Sequence, residues 1–446
     1  MGNAMFVQKT LVFLTALFAG LALLVPAAWP QQLSNLDRDR AQAMLQVIAS
    51  DVHKHYYDAK FHGLDWDAKV AEAKQKISQA QSFNMAMSHI AAALDTLNDS
   101  HTFFLPPQHA YRHDFGWQYQ MIGDRCFVIR VRPDSDAAAK GVKSGDEVLT
   151  INGFIPSRDN LWKVQYVFSV LRPQPSLRLE LKDPMGKQRQ VEVAAAIHAG
   201  KRVMDLTSAG GGGDIWDIVR QSEDEDDLMR ARYVEYGDDL MVLKVPRFLF
   251  SRNEVDDVIG KARKHKNLIL DLRENPGGAV DTLKFMLGGV FDKDVKVADR
   301  VGRKESKPEV AKATHNPFTG KLVVLVDSKS ASAAELFARV IQIEKRGTVL
   351  GDHTSGSVME SRRYSEKLGM DTVIFYGASI TEEDLIMTDG KSLEHIGVTP
   401  DEVLLPTADS LANGKDPVLA RAAELLGVKL SPDAAGQVFP YKWSPE

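Results

Sequence analysis

Residues 322–344 read LVVLVDSKSASAAELFARVIQIE. The first five residues are apolar and mostly β-branched, a composition typical of a buried strand. From Ala333 onward the apolar residues recur at helical spacing, which predicts a helix. Ser332 is therefore expected where a strand gives way to a helix, beside N–H groups that have no intrahelical partner.

The same alternation of strand and helix continues on both sides of this segment. It predicts an α/β core with largely parallel strands at residues 233–408. The segments that define it are apolar runs at 240–245, 268–272 and 348–350 and helical patterns at 253–264 and 333–344. Residues 409–446 are predicted to be a C-terminal tail that is helical as far as Leu426 and then irregular.

Two different patterns precede the core. Apolar residues at helical spacing, such as Met44, Ile48 and Val52, predict an N-terminal helical region at 35–115. Short strands and turns at 117–197 predict a separate β module.

Two segments differ from these regions in composition. Residues 198–232 are predicted to be a linker, with four glycines at 210–213 and an acidic run at 223–227. Residues 1–30 contain Lys9 and a following apolar run, and they are predicted to be a signal peptide or, if uncleaved, an N-terminal anchor. We therefore expect a secreted or periplasmic protein of the cell envelope.

The composition argues against several classes of function. The chain has 446 residues, enough for two or three domains, and its net charge of −5 gives no electrostatic case for a nucleic-acid partner. Membrane association is expected only through an uncleaved N-terminal segment. The single cysteine, Cys126, excludes an intrachain disulfide and a cysteine metal site. No metal-ligand spacing or phosphate-binding glycine loop occurs, so we expect no metal and no cofactor.

Two turns have the residue types that acyl transfer needs. Ser332 is a candidate nucleophile, because the helix N-terminus that follows would stabilise negative charge beside it. The structural alternative is a helix-capping box formed by Ser332 and Glu335. Gly277 and Gly278 could let backbone N–H groups face a reacting oxygen, although paired glycines are also common in ordinary turns.

A serine hydroxyl needs a base to become a nucleophile. His101 has a suitable ordinary pKa, but it could equally be a structural hydrogen bonder beside Asp99 and Ser100. Glu394 could orient an imidazole or polarise a hydroxyl, or it could be a simple turn residue.

Taken together, these segments resemble the C-terminal-processing (tail-specific) serine peptidases of family S41. The resemblance covers residues 40–408 in the family's order. It rests on Asp99-Ser-His-Thr102, Gly141–Gly153 in the β module, Arg273-Glu-Asn-Pro-Gly-Gly278, Ser330-Ala-Ser-Ala-Ala-Glu335 and Gly397-Val-Thr-Pro-Asp401. It implies a multidomain α/β fold, in which the N-terminal helical region precedes a PDZ-like β module and a ClpP/crotonase-like α/β core.

The resemblance also implies roles for particular residues. Ser332 would be the nucleophile of a serine endopeptidase, and backbone N–H groups of Gly277, Gly278 and Ala333 would hold the oxyanion. The substrates would be proteins or peptides, recognised through a free C-terminus.

The PDZ-like module would bind an extended peptide by strand addition. Its Phe115, Gly116 and Trp117 lie where the C-terminal carboxylate of that peptide would bind. The sequence leaves open whether the module recruits substrates or gates access to the core.

One segment departs from the Ser–Lys members of the family. Those members pair the serine with a lysine in a Thr-Phe-Gly-Lys type segment, whereas the similar segment here is Thr354-Ser-Gly-Ser357. The tricorn-type branch instead uses an adjacent serine and histidine and a later glutamate, and Ser100, His101 and Glu394 match those places. The resemblance therefore implies that His101 accepts the Ser332 proton, with Ser100 and Glu394 as a supporting relay.

Two other classes of function stay open at this point. One is a non-catalytic envelope protein that binds peptides or small ligands, because the fold family includes a retinoid-carrying eye protein. The other is a scaffold that uses only its PDZ-like module, which leaves the paired glycines unexplained. The joint presence of Ser332, His101, Ser100 and Glu394 favours the peptidase.

Overall fold

The computed structural model describes residues 33–109, 111–199, 230–369 and 373–443. The predicted signal segment at 1–30, the glycine run at 210–213 and the acidic run at 223–227 lie outside the described residues. Among the helices of these described ranges, none combines the length and the apolarity that crossing a membrane requires.

Three helices and a short strand open the described chain. They are α1 Asn35–His55, a 3₁₀ turn Phe61–Gly63, α2 Trp66–Ser78, α3 Phe83–Asp95 and β1 Phe103–Leu105. The three helices begin after Ser34, Asp65 and Ser82, whose side chains each accept a backbone N–H from three residues further on. Their apolar faces share one core with Tyr376 and Ile380 from a distant strand, so this region packs on the rest of the protein.

Residues 111–199 form a β-rich unit with its own apolar core. Its elements are β2 Tyr111–Asp114, β3 Trp117–Ile122, β4 Arg125–Val131, α4 Asp136–Ala139, β5 Glu147–Ile151, α5 Leu161–Tyr166, a π-helical turn Val167–Leu171, β6 Ser176–Lys182, β7 Gln188–Ala194 and β8 Ala196–Ala199. An antiparallel sheet has the order β3-β4-β5-β6-β7, and β2 pairs with β8. Val128, Ile151 and Leu179 are fully buried in the core of this unit.

A sheet of six strands forms the centre of the remaining chain. The elements in sequence order are β9 Arg232–Tyr236, β10 Leu240–Lys244, α6 Arg252–Ala262, β11 Asn267–Asp271, α7 Val280–Gly288, β12 Val295–Gly302, β13 Glu309–Ala311, β14 Lys321–Val326, α8 Ala333–Ile343, β15 Thr348–Gly351, β16 Met359–Leu368, β17 Ile374–Met387 and β18 Glu402–Val403. The sheet order is β18-β15-β14-β11-β10-β9, and all neighbours are parallel except β10 and β9. The prediction of a mixed α/β core with largely parallel strands is confirmed.

A second, antiparallel sheet joins the N-terminal helices to this core. β17 is its longest strand and pairs with β16, β12 and β1. Phe103 of β1 lies opposite Ser379 of β17. This pairing holds the segment that carries Ser100 and His101 against the core.

The C-terminal segment covers one face of the parallel sheet. It contains α9 Ala408–Ala412, α10 Pro417–Leu425 and α11 Pro432–Ala435. Leu419 and Ala423 of α10 pack against Ile269 and other apolar side chains of the sheet, while α6, α7 and α8 pack on the opposite face. Because the strands of the parallel sheet are buried on both faces, their sequences are continuous apolar runs. The helical stretch predicted as far as Leu426 consists of α9 and α10 with a turn at Gly414 (φ +64°) between them, and the stretch predicted to be irregular contains the short α11.

Candidate active site

Ser332 occupies an uncommon backbone conformation at the N-terminus of α8. Its φ is 54° and its ψ is −117°, values that residues other than glycine rarely adopt. Its N–H is shared between the Ser357 carbonyl oxygen and Glu335 Oε2, both at 2.9 Å. Ser332 and Glu335 form the capping box that the structural alternative predicts. Its contact from the Ser332 backbone N–H to the Glu335 carboxylate does not depend on the Ser332 hydroxyl.

Glu335 fastens the nucleophile turn to a neighbouring loop. This fully buried carboxylate also accepts from the Thr354 hydroxyl (2.6 Å), the Gly356 N–H (2.7 Å) and the Ser357 N–H (3.0 Å). Burial raises the pKa of Glu335 to about 7, although these donors favour its charged form. The S-x-x-E spacing predicts only a capping role, whereas the carboxylate fixes two loops.

The glycine turn packs directly on the nucleophile turn. Gly277 has a φ of +94°, and a Cβ atom there would lie 2.8 Å from the Ser332 Cβ and 3.0 Å from the Ala333 nitrogen. The Gly277 N–H donates to Asn275 Oδ1 at 2.8 Å, so this N–H is engaged here, and its oxyanion role stays a prediction. The N–H groups of Gly278 and Ala333 make no hydrogen bond to a described residue, and they stay candidates.

This close contact predicts a large effect of Gly277→Ala. The added methyl group would press on the Ser332 Cβ, and the positive φ would add strain. We expect kcat for a peptide substrate to fall about 10²-fold, comparable with the loss of one oxyanion donor. Gly141→Ala is the matched control, because Gly141 also has a positive φ (+76°) but nothing lies within 4 Å of an added Cβ. Equal kcat values for the two variants would contradict the prediction.

Ser100, His101 and Glu394 form a hydrogen-bonded chain. The Ser100 hydroxyl donates to Glu394 Oε2 at 2.8 Å and lies 2.7 Å from His101 Nδ1. The Ser100 N–H donates to Glu394 Oε1 at 2.6 Å. Because the hydroxyl has one proton and gives it to the carboxylate, it accepts a hydrogen bond from Nδ1–H of the imidazole. Nε2 of His101 then carries the lone pair that a general base needs.

Burial and nearby charge determine the protonation of these groups. Burial lowers the pKa of His101, and the charge of Asp99 partly opposes this shift. Burial raises the pKa of Glu394, whose side chain is 10% exposed, and hydrogen bonds from Val358 and Ser100 oppose that shift. The imidazole therefore stays neutral to a lower pH than an exposed histidine would.

The loop at 354–358 connects the nucleophile with this relay. Its Ser357 carbonyl accepts the Ser332 N–H, and its Val358 N–H donates to Glu394 Oε2 at 2.8 Å. The pairing of β1 with β17 holds His101 on the same side of the core. The structure thus brings together the segments that carry Ser332, His101 and Glu394.

No lysine of the nucleophile or base segments takes the place of the imidazole in the described residues. Ser357 stands where the Ser–Lys members carry lysine, and its hydroxyl lies 2.8 Å from Ser355 Oγ. Lys329 was missed by the sequence patterns, and its charge interacts with Glu274 and Asp327 on the side of the β-rich unit. Burial lowers the pKa of Lys329, while these two carboxylates raise it.

Two other kinds of hydrolytic chemistry have no support in the described residues. No group of histidine, cysteine, aspartate and glutamate side chains in the described ranges could hold a metal ion. Cys126 is buried, and burial raises the pKa of its thiol to about 12, so the thiolate that a nucleophile needs is disfavoured.

The β-rich unit contacts all three loops that form the candidate site. The contacts are Arg130 Nη1 to Glu274 Oε2 at 2.8 Å, Gln120 Nε2 to Asp327 Oδ2 at 3.3 Å and Gly123 N–H to Asp352 Oδ2 at 2.9 Å. Glu274 precedes the glycine turn, Asp327 precedes the nucleophile and Asp352 precedes the 354–358 loop. Glu274, Asp327 and Asp352 border a cavity of about 550 Å³, which Tyr441, near the C-terminus, also lines. The position of this unit is therefore coupled to the geometry of the site.

Arg130→Gln tests this coupling. The substitution removes the cation that holds Glu274, so we expect the glycine turn to lose its fixed position. We expect kcat to fall about three- to thirtyfold, which is the size of effect that contacts of this kind transmit to a neighbouring site. Arg125→Gln is the control, because Arg125 pairs with Glu147 inside the β-rich unit and is 55% exposed. If both variants keep the wild-type kcat, the ion pair between Arg130 and Glu274 does not affect the geometry of the site.

The segment predicted to bind a peptide carboxylate is firmly held. The Gly116 N–H donates to Asp114 Oδ1 at 2.8 Å, and a Cβ at Gly116 would lie 2.2 Å from the Ser135 Cβ. Trp117 is 7% exposed, and Phe115 packs against the core of the unit. Because the Gly116 N–H is engaged, it does not face a ligand here. The binding role of Phe115, Gly116 and Trp117 stays a prediction.

Comparison with known proteins finds a peptidase family model and several proteases that resemble this chain. Residues 239–404 match the model of peptidase family S41, so this part of the chain is similar to those peptidases. A tail-specific protease of Haemophilus influenzae is 25% identical over 364 residues, which cover 77% of this chain and 49% of that protein. A carboxy-terminal-processing protease of Bartonella bacilliformis is 31% identical over 170 residues, which cover 37% of this chain and 36% of that protein. The chain thus spans half or less of the length of these two relatives.

Solved structures support the same fold assignment. Mature CPAF complexed with lactacystin has a TM-score of 0.62 at 16% identity, covering 84% of this chain and 96% of CPAF. The photosystem II D1 C-terminal processing protease has a TM-score of 0.50 at 18% identity, covering 90% of this chain and 99% of that protein. At these identities the likeness establishes a shared fold.

Proposed function

We propose that the protein is a serine endopeptidase of the cell envelope that cleaves protein or peptide substrates. The observation that carries the proposal is the chain from Glu394 through Ser100 to His101, beside the loop that holds Ser332. Such a chain fixes the tautomer of an imidazole for proton transfer, which neither a binding protein nor a scaffold requires. The match of residues 239–404 to the model of peptidase family S41 supports the reaction class, and the predicted targeting segment at 1–30 supports the location.

In the proposed first half-reaction, the Ser332 oxygen attacks the scissile carbonyl carbon while His101 Nε2 takes the hydroxyl proton. The carbonyl electron pair moves onto oxygen to give a tetrahedral intermediate. As the C–N bond breaks, His101 returns the proton to the leaving amine, and an acyl-enzyme ester stays on Ser332. In the second half-reaction, His101 takes a proton from water as the resulting hydroxide attacks the ester carbonyl carbon. The ester C–O bond then breaks, the product leaves as a carboxylic acid, and His101 returns the proton to the Ser332 oxygen.

The Gly278 and Ala333 N–H groups are the donors we propose for the oxyanion. Both lack a hydrogen-bond partner among the described residues, and Ala333 is the first residue of α8. The positive end of the helix dipole adds to their effect. Donors fixed before the reaction stabilise the developing charge without reorganising.

The β-rich unit is proposed to act as a PDZ-like module. β3 is the terminal strand of its sheet order, so an extended peptide could add along the free edge. Phe115, Gly116 and Trp117 would lie at the carboxylate end of that peptide. Contacts of this unit with Glu274 and Asp327 support a role in gating as well as in recruitment.

The proposal is tested with a serine-reactive phosphonate probe and with hydrolysis of casein and of a peptide that has a free C-terminus. We expect one probe molecule per chain, located by mass spectrometry on Ser332, together with hydrolysis of both substrates. Ser355→Ala is a matched control, because Ser355 lies on the neighbouring loop and bonds only Ser357 through its hydroxyl; this variant should label normally. Amidation of the peptide C-terminus should raise KM if the module binds the carboxylate. Absence of hydrolysis, or a label on another residue, would overturn the proposed function.

A further inference from the structure

Asp99 holds the backbone of the proposed base through hydrogen bonds that do not pass through the Glu394 relay. Its Oδ1 accepts the His101 N–H at 3.0 Å, the Thr102 N–H at 2.7 Å and the Thr381 hydroxyl at 2.6 Å. Its Oδ2 is buried, and the Tyr56 hydroxyl interacts with the carboxylate. A buried carboxylate keeps much of its field within the protein.

Asp99 and Glu394 act on the imidazole in different ways. Glu394 reaches His101 only through the Ser100 hydroxyl, which fixes the tautomer. Asp99 makes no hydrogen bond to the ring, but its charge opposes the effect of burial on the imidazole. Burial alone would make imidazolium formation costly, since few water molecules can solvate the cation.

We propose that Asp99 is a positioning residue that supplies the negative charge facing the His101 imidazolium during catalysis. This inference rests on the proposed function. Glu394 and Ser100 orient the ring, and Asp99 lowers the free energy of its cationic state when it takes the Ser332 proton. The two carboxylates thus divide orientation and charge stabilisation between them.

Two tyrosines, an arginine, a threonine, Glu394 and His395 surround Asp99. Tyr56 and Tyr57, which follow α1, have pKa values raised by burial and by the charge of Asp99, so both phenols stay neutral. Arg303, after β12, donates to the Tyr56 carbonyl, and Thr381 is the neutral contact from β17. Glu394 accepts from the Ser100 hydroxyl, and Nε2 of the adjacent His395 lies 2.8 Å from the Asn98 carbonyl oxygen.

Asp99→Asn tests the inference, because asparagine keeps the size and one acceptor oxygen but removes the charge. Losing a charge that raises the pKa of His101 must lower that pKa further. We expect the acid limb of kcat/KM to move down by about one pH unit and kcat to fall about tenfold. Thr381→Val is the matched control, since it removes one donor to Asp99 and leaves the charge in place; its acid limb should not move.

NMR titration of the His101 ring separates this inference from the proposed function. It follows the same pKa in wild type and Asp99→Asn without needing turnover. A downward shift in the variant supports the charge role even if no substrate is hydrolysed, in which case the proposed function is the part that fails. If the pKa of His101 is the same in wild type and Asp99→Asn, the inference is overturned. This holds even if Asp99→Asn lowers kcat and Tm, because loss of a purely structural residue would do the same.

Discussion

Ser332→Ala is expected to lower kcat/KM at least about 10⁴-fold, to the level left by binding and oxyanion contacts alone. The loss should be chemical, because the Glu335 carboxylate caps the start of α8 through the Ser332 backbone N–H, which the substitution keeps. We therefore expect Tm to stay within about 2 °C of wild type, as for a substitution away from buried interactions. The measurements are single-turnover hydrolysis, phosphonate labelling and thermal unfolding.

Ser330→Ala is the matched control for this variant. Ser330 is fully buried two residues earlier, and its hydroxyl donates to the Leu272 carbonyl at 2.8 Å while accepting the Asp327 N–H at 2.9 Å. Its loss leaves buried groups unsatisfied and should cost about 1–3 kcal/mol of stability. Labelling should nevertheless persist. A Ser332→Ala protein that still hydrolyses substrate would remove Ser332 as the nucleophile.

The pH dependence follows from the environment of His101. The base acts in its neutral form, and burial lowers the pKa of His101. The acid limb of kcat/KM is therefore expected below the ordinary histidine value of about 6.5. His101→Ala should abolish this limb along with nearly all activity. A wild-type limb above about pH 8 would point to an amine such as lysine.

The parallel core could be predicted from local patterns because its strands are buried on both faces. The runs at 240–245 and 322–326 are apolar along their length, which is a strong local signal. The hairpin of β16 and β17 gives no comparable signal. The residues of β16 include exposed charges such as Arg363 and Lys367, so the stretch resembles a polar loop. Pairing of β1 with β17 depends on contacts far apart in sequence, which no local period encodes.

The candidate site also has one part that local sequence patterns predict and one part that they do not. The turn at Ser332 is predictable, because a strand-to-helix junction is visible in the sequence. The contact between Ser100 and Glu394 spans 294 residues, and only the family resemblance indicated it. The engagement of the Gly277 N–H has a local signal, because asparagine side chains often accept the N–H two residues on, and Asn275 does so here.

Ser100→Ala is expected to lower kcat about 10³-fold while leaving KM nearly unchanged, because it cuts the imidazole from the carboxylate without touching substrate. Glu394 would keep its hydrogen bonds from the Ser100 and Val358 N–H groups, so its loop should stay in place. The variant thus isolates the hydroxyl that links Nδ1 of His101 to Glu394. Steady-state kinetics on a peptide substrate and thermal unfolding measure the two effects separately.

Glu394→Gln and the double variant decide whether the three groups act as a unit. In Glu394→Gln an NH₂ group replaces one of the two carboxylate oxygens, and both oxygens now accept hydrogen bonds from Ser100 or Val358. The NH₂ group cannot accept these bonds, so both kcat and Tm should fall. If the relay acts as a unit, adding Ser100→Ala should cost little further kcat, as happens in coupled catalytic groups. Fully multiplicative losses would mean that Ser100 and Glu394 work independently. An unchanged kcat in Ser100→Ala would mean that its hydroxyl is only a neighbour of His101, and the base would then need another means of orientation.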